Sequence, residues 1–135
     1  MSISFFDYIT ASGRYPERMK SPELTPEVIT NATKLLEKIN AFLKELGIGK
    51  VTVSSGFRPS AVNAAIPNAA KASLHTQGLA IDISDPDQKL DALIDSRDDL
   101  KKKYGIWQED PSATPNWTHL DLKARGKRAK NTFKP

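Results

Sequence analysis

The sequence predicts a small α+β domain in which helices pack against a mainly antiparallel sheet. The chain has 135 residues, which is the length of one domain. Two segments carry apolar residues at spacings of three and four, which is typical of amphipathic helices. Four short β-prone segments are joined by short loops and end in a strand pair, which favours antiparallel pairing. We therefore predict a single domain over residues 1–135.

The first long helix is predicted to begin after Thr25. A threonine can cap a helix N-terminus, and Pro26 suits the first helical position. Apolar residues then recur as far as Leu46, and the glycines at 47 and 49 end the pattern. The apolar stripe of this helix is expected to face the core.

Two further helical segments are predicted on either side of it. Residues 1–24 form an irregular opening with a short helix around Phe5 to Ile9. Residues 87–104 show a second amphipathic pattern, whose charged residues are expected to face solvent. The segment RPSAVNAAIPNAA, residues 58–70, is rich in proline and asparagine, and we predict a loop enclosing about two helical turns.

Four segments are predicted to be strands: KVTVSSGF (50–57), LAIDIS (79–84), GIWQE (105–109) and WTHLDL (117–122). In the second, alternation places Ile81 and Ile83 on the core face and Asp82 on the opposite face. In the fourth, alternation places His119 and Asp121 on one face. Two polar faces of two strands therefore carry groups that can bind a metal.

Composition narrows the class of protein and of site. Hydrophobic residues make up 39% and charged residues 27%, as in ordinary soluble domains. No apolar run approaches the roughly 20 residues that span a bilayer. The N-terminus lacks the pattern of a secretory signal, so we expect synthesis in the cytoplasm, no membrane insertion, and a monomer that folds alone. The chain has no cysteine, so any metal must be held by histidine and carboxylate.

The positive charge is concentrated in a basic C-terminal tail, residues 123–135. This tail holds six basic residues and no acid, leaving 14 basic and 16 acidic residues elsewhere. A solvated terminus and an attraction to a polyanion both explain such a tail. The polyanion could be nucleic acid or anionic cell wall. A nucleic-acid-binding function is the weaker hypothesis, because the charge of the tail is the only feature that supports it.

The histidines and Asp82 form a candidate metal site. If their strands are neighbours in the sheet, Asp82 and His119 converge, and His75 in the turn before the first strand supplies a third ligand. Two imidazoles and one carboxylate leave the fourth position of a zinc ion for water. Spacing alone is a weak signal, so an ordinary turn histidine remains the alternative.

Three motifs in order resemble a known superfamily. They are SSGFRP, SLHTQGLAIDI and WTHLDL, and they are similar to the zinc D-alanyl-D-alanine carboxypeptidases and phage L-alanyl-D-glutamate endopeptidases, which share the hedgehog-like fold. The likeness extends to LTPEVITNATKLLEKIN, NAAIPNAA and GIWQEDPSATPNWTH, which look like phage or prophage-type members.

The resemblance implies a function and a role for each matching residue. His75, Asp82 and His119 would bind one zinc ion. Arg58 would hold substrate and steady the oxyanion, and Ser73 would hydrogen-bond the peptide. The implied activity is hydrolysis of peptide bonds in peptidoglycan stem or cross-link peptides, with zinc-bound water as the nucleophile. Either an endolysin or a D-Ala-D-Ala carboxypeptidase would act this way on the cell wall, after phage-type release or as a virion component.

The general base departs from the family pattern. Well-known members carry an acid three residues before the last histidine, where this chain has Asn116. We predict that Glu109 replaces it, since its strand can pair with WTHLDL. Asp110 and Asp121 are alternatives, and Asp121 could instead orient a ligand.

A second class of function stays open at this point. Asn116 also fits a non-catalytic metal-binding or wall-binding module of the same fold. The bond that is cut, whether D-Ala-D-Ala, L-Ala-D-Glu or an interpeptide bridge, depends on loops that the motifs do not describe.

Overall fold

A five-stranded sheet organises the described part of the chain, residues 3–67 and 73–135 of a computed structural model. The strands are β1 (Val53–Ser55), β2 (Ala80–Ser84), β3 (Trp107–Glu109), β4 (Trp117–Asp121) and β5 (Thr132–Phe133). Their order across the sheet is β1-β2-β4-β3-β5. The pairs are antiparallel except for β3 with β5, which is parallel. The predicted α+β class with a mainly antiparallel sheet is confirmed.

Within the described residues, the sheet is accompanied by five α-helices: α1 (Phe5–Thr10), α2 (Pro26–Glu45), α3 (Ser60–Ala64), α4 (Lys89–Asp95) and α5 (Asp98–Tyr104). Short 3-10 helices cover Pro16–Lys20 and Pro111–Ala113. The predicted start of α2 is confirmed, because the Thr25 side chain accepts a hydrogen bond from the backbone N–H of Val28. None of the described helices has the length and apolar character needed to cross a membrane.

The single helix predicted over residues 87–104 is wrong, because the chain forms two helices there. The Ser96 hydroxyl donates to the carbonyl of Leu93 at 2.7 Å and ends α4. Arg97 then leaves the helical region with φ −116° and ψ 54°, and its guanidinium pairs with Asp99 at the start of α5. Local side-chain bonds of this kind compete with a continuous helix, and apolar periodicity does not reveal them.

The hydrophobic core lies between α2 and one face of the sheet. Ile81 and Ile83 from β2 and Leu120 from β4 are fully buried in it. The buried residues of α2 complete it: Ala32, Leu35, Leu36, Ile39, Phe42 and Leu43. Because strand residues alternate between faces, the residues between these apolar ones point to the other side of the sheet. That side carries the polar groups.

The loop over residues 58–70 contains a short helix, and the basic tail contains a short strand. α3 forms within the loop, while its last residues, 68–70, lie outside the described residues. Within the basic tail, β5 pairs with β3, and the Lys130 ammonium lies 3.1 Å from a carboxylate oxygen of Asp95. Part of the tail therefore packs on the domain.

Gly56, directly after β1, packs against α1 so closely that no side chain fits. A Cβ at this position would lie 2.0 Å from the backbone oxygen of Tyr8. We expect Gly56→Ala to lower the free energy of unfolding by about 1–3 kcal/mol through overpacking, as measured by urea denaturation. Gly49→Ala is the control, since nothing lies within 4 Å of a Cβ there. Equal stability of the two variants would contradict this packing.

Candidate metal centre

A row of five residues crosses the whole sheet on its polar face. Ser55 pairs with Asp82, and Asp82 pairs with His119. Extending the β3–β4 register by one pair places Glu109 opposite His119, and Glu109 pairs with Phe133 on β5. Residues opposite each other on paired strands point to the same face, with Cβ atoms roughly 5 Å apart. The five strands thus bring a carboxylate, an imidazole and a second carboxylate side by side.

His75 joins this row from the turn before β2. Its Nε2 lies 3.3 Å from Oδ2 of Asp82, while Nδ1 of His119 lies 2.8 Å from Oδ1 of the same carboxylate. One ligand atom from each of the three residues lies within 4.8 Å of the others. The structure therefore brings together the three residues predicted as metal ligands, although they are up to 44 positions apart in the sequence.

The outer nitrogen of each histidine is already engaged by the protein. Nδ1 of His75 donates to the carbonyl oxygen of Gly56 at 2.8 Å, which leaves Nε2 facing Asp82. Nε2 of His119 donates to Oδ2 of Asp121 at 2.9 Å, which leaves Nδ1 facing Asp82. Such outer bonds fix the tautomer and ring orientation that a metal requires. The nitrogen and oxygen donors, with no thiolate, fit zinc.

The ionisable groups of this cluster strongly shift one another's pKa values. Burial alone would raise the pKa of Asp82, but the adjacent His75 and His119 hold that pKa below its usual range. Burial opposes the charge on His119, yet hydrogen bonds to Asp121 and Asp82 raise its pKa to about 10. Without a metal, His119 is therefore protonated at neutral pH. A metal ion that binds its Nδ1 must displace a proton.

This charge state predicts how the stability of the metal-free protein depends on pH. A histidine with a raised pKa stabilises the fold fully below its unfolded pKa of about 6.5, and the contribution is lost as the pH rises through the folded pKa. In the presence of a chelator, we expect the free energy of unfolding of wild type to exceed that of His119→Gln. The difference should be largest at pH 6 and should shrink towards pH 10. Urea unfolding measures it. A difference that is the same at both pH values would contradict the pairing.

Arg58 lies at the edge of the cluster, where the structure brings it into contact with Asp82. Its Nη2 is 3.3 Å from Oδ2 of Asp82, and its Nε donates to the Ser55 hydroxyl at 2.9 Å. The backbone N–H of Arg58 donates to the carbonyl of His75. Its side chain keeps 14% exposure, so a guanidinium edge is held beside the ligands and open to solvent. A fixed, permanently charged fork there can bind a carboxylate or a polarised carbonyl.

Ser73 caps the turn that carries His75. Its hydroxyl accepts the backbone N–H of His75 at 3.2 Å, and its carbonyl accepts the Thr76 hydroxyl. This is the structural role that a serine commonly has in such a loop. The contact of Ser73 with a peptide stays a prediction.

Glu109 lies next to His119 in this row, and its role as the proton acceptor stays a prediction. It is half-buried at the end of β3, and burial raises the pKa of its carboxyl, while the charge of His119 lowers it and that of Asp82 raises it. These influences arise because Glu109 shares the row with His119 and Asp82. A carboxylate with a raised pKa is a better proton acceptor than an exposed one.

The other two acids, Asp110 and Asp121, each hold another group of the protein. The Asp110 carboxylate accepts from the backbone N–H and the hydroxyl of Ser112, at 2.9 and 2.7 Å, and caps a 3-10 helix. Asp121 is fully buried behind His119, which fits orientation of a ligand.

Asn116, in the turn before β4, has a φ of 146°, a value that favours glycine. The carbonyl of Asn116 accepts the backbone N–H of Asp85.

Sequence reasoning missed three parts of this site. The Gly56 carbonyl, which holds His75, lies within the motif SSGFRP but gives no side-chain signal. Arg125 and Phe133, which contact Asp121 and His119, lie in the segment interpreted as a basic tail. The four-residue spacing of Arg125 from Asp121 gave no signal, because residues 122–125 are not helical and this spacing pairs side chains only on a helix.

Comparison with known proteins adds one finding. A protein-family model described as Peptidase M15 matches residues 16–121. The matched range contains Arg58, His75, Asp82, Glu109 and His119, and it ends before the basic tail. Comparisons with curated proteins and with solved structures return no match.

Proposed function

The chain belongs to the peptidase M15 family of zinc-dependent metallopeptidases, and from this premise we propose that it hydrolyses peptide bonds in bacterial peptidoglycan. The observation that carries the proposal is the convergence of His75, Asp82 and His119, with each histidine held from behind by a protein oxygen. Stem or cross-link peptides are the proposed substrates, because the three sequence motifs resemble those of peptidoglycan peptidases.

The proposed reaction needs a Lewis acid, a proton acceptor and a cationic group. When bound, zinc polarises the scissile carbonyl and brings the pKa of a coordinated water to about 7. Glu109 accepts the proton of the attacking water and later delivers it to the leaving amine, so that a C–O bond forms and the C–N bond breaks. The half-buried position of Glu109 beside His119 supports this role.

Arg58 has a separate task in this proposal. Its guanidinium is held by Ser55 and Asp82, so it can meet the developing negative charge on the substrate oxygen without rearranging. Ser73 lies two residues before His75 and is half-buried, and its hydroxyl is proposed to contact the peptide chain. We infer a phage or prophage-type peptidase from the resemblance of the flanking segments, with release or a virion bringing it to the wall.

Metal removal tests this function directly. We expect purified protein to release soluble peptides or amino acids from peptidoglycan, to lose this activity in a chelator, and to regain it with one equivalent of Zn²⁺. Mass spectrometry of the fragments identifies the bond that is cut. Digestion that continues at full rate in the chelator would contradict the proposal.

A non-catalytic metal-binding or wall-binding module is the second candidate, favoured by Asn116 at the position where an acid is expected. The same experiment separates the two. Zinc binding with one ion per chain and sedimentation with peptidoglycan, but no released fragments, would support the module and exclude the peptidase.

A further inference from the structure

The C-terminal segment, residues 122–135, lies beyond the matched family range yet contacts the metal centre from behind. Arg125 is one of its inward-facing residues. Its Nη1 and Nη2 lie 2.8 and 3.0 Å from the two carboxylate oxygens of Asp121, forming a planar fork. The side chain of Arg125 is 15% exposed and that of Asp121 is fully buried. The carboxylate that holds Nε2 of His119 is thus itself held by the tail.

The same segment also contacts the His119 ring. The guanidinium carbon of Arg125 lies 3.4 Å from the ring centroid of Phe133. Phe133 in turn packs against His119 edge to face, with centroids 5.8 Å apart and planes at 81°. His119 is therefore enclosed on two sides by groups that Arg125 joins.

The segment is anchored by contacts away from the site. The buried Lys101 ammonium donates to the Thr132 hydroxyl at 3.0 Å, and a carboxylate oxygen of Asp98 accepts the backbone N–H of Asn131 at 2.7 Å. Because β5 is fixed to α5 in this way, Phe133 is held at a set place in the row. The C-terminal segment is therefore held against the domain at residues that do not touch the metal centre.

We propose that Arg125, in the C-terminal segment, is a positioning residue of the metal centre that acts through Asp121 on His119. This inference rests on the proposed zinc function. A guanidinium that bonds both oxygens fixes the plane of a carboxylate, whereas an ammonium cannot. Without the two hydrogen bonds from the Arg125 guanidinium, the Asp121 carboxylate is free to rotate, and its hydrogen bond with Nε2 of His119 is weakened.

Metal affinity tests the proposal without relying on enzyme activity. Zn²⁺ affinity is measured by competition with a chromophoric chelator, and visible absorption of the Co²⁺-loaded protein reports ligand geometry. We expect Arg125→Gln to weaken Zn²⁺ binding about 10-fold or more, the range for loss of outer partners, and to shift the Co²⁺ bands. Lys127→Gln removes the same charge from an exposed tail residue for which the described residues show no hydrogen bond or ion pair, so it should match wild type.

The outcomes separate this inference from the proposed function. Equal Zn²⁺ affinity and equal Co²⁺ spectra in Arg125→Gln and Lys127→Gln would overturn the positioning role while leaving the zinc function intact. Wild type that binds no Zn²⁺ would overturn both. If Arg125→Gln does not fold, Arg125→Lys decides: it keeps the charge but not the fork, so weakened binding supports the proposal and wild-type binding overturns it.

Discussion

His75→Ala is expected to abolish the proposed peptidase activity, because it removes one of the three proposed metal ligands. The remaining Asp82 and His119 can offer only two donors, and the Gly56 carbonyl that oriented His75 loses its partner. Loss of an outer partner costs about 10- to 100-fold in metal affinity, so loss of a ligand should cost more than that. Equilibrium competition for Zn²⁺ and fragment release from peptidoglycan measure the two effects together.

The control for His75→Ala must disturb the same turn without touching a ligand. Thr76→Ala does this, since it removes the hydroxyl that donates to the Ser73 carbonyl at 2.6 Å. We expect Thr76→Ala to retain Zn²⁺ binding and most activity. If His75→Ala bound Zn²⁺ and digested peptidoglycan as well as Thr76→Ala, the assignment of His75 as a ligand would be wrong.

Glu109→Gln is expected to lower kcat by about 10²- to 10⁴-fold, the usual contribution of a general base, while Zn²⁺ binding is kept. The substitution preserves size but removes the ability to take a proton. Glu109 contributes no metal ligand in the proposed site, so metal content should stay at one ion per chain. Steady-state kinetics on a defined muropeptide and metal analysis of the same sample measure both.

Asp110→Asn is the matched control, because it neutralises the next residue along the chain. Asp110 accepts hydrogen bonds from Ser112 rather than facing the ligands, so kcat should stay near wild type. If Asp110→Asn lowered kcat strongly and Glu109→Gln did not, Asp110 would be the proton acceptor instead of Glu109. Full activity in both variants would contradict an acid from this strand end.

Strand alternation predicted much of the site from the sequence. It placed Asp82 and His119 on polar faces, and the pairing of β2 with β4 then made these residues opposite neighbours. A separate prediction, that the strand ending in Glu109 can pair with WTHLDL, is confirmed by the pairing of β3 with β4. These inferences succeed because the two-residue period of a strand decides the face of every side chain once the strand is known.

Other features depend on contacts that no local pattern records. The break between α4 and α5 comes from Ser96 and Arg97, whose side chains bond locally while the apolar spacing continues. The approach of the tail to His119 depends on Arg125 meeting a buried carboxylate, which tertiary packing decides. Composition could identify that tail as basic, but it could not identify which arginine turns inward.

X-ray absorption at the zinc edge of the zinc-loaded protein tests the central claim most directly. We predict one ion per chain with two imidazole nitrogens and a carboxylate oxygen at about 2.0–2.2 Å. In His119→Gln the imidazole count should fall to one. A zinc shell without imidazole, or the absence of stoichiometric zinc in wild type, would contradict the assignment of His75, Asp82 and His119 as the metal site.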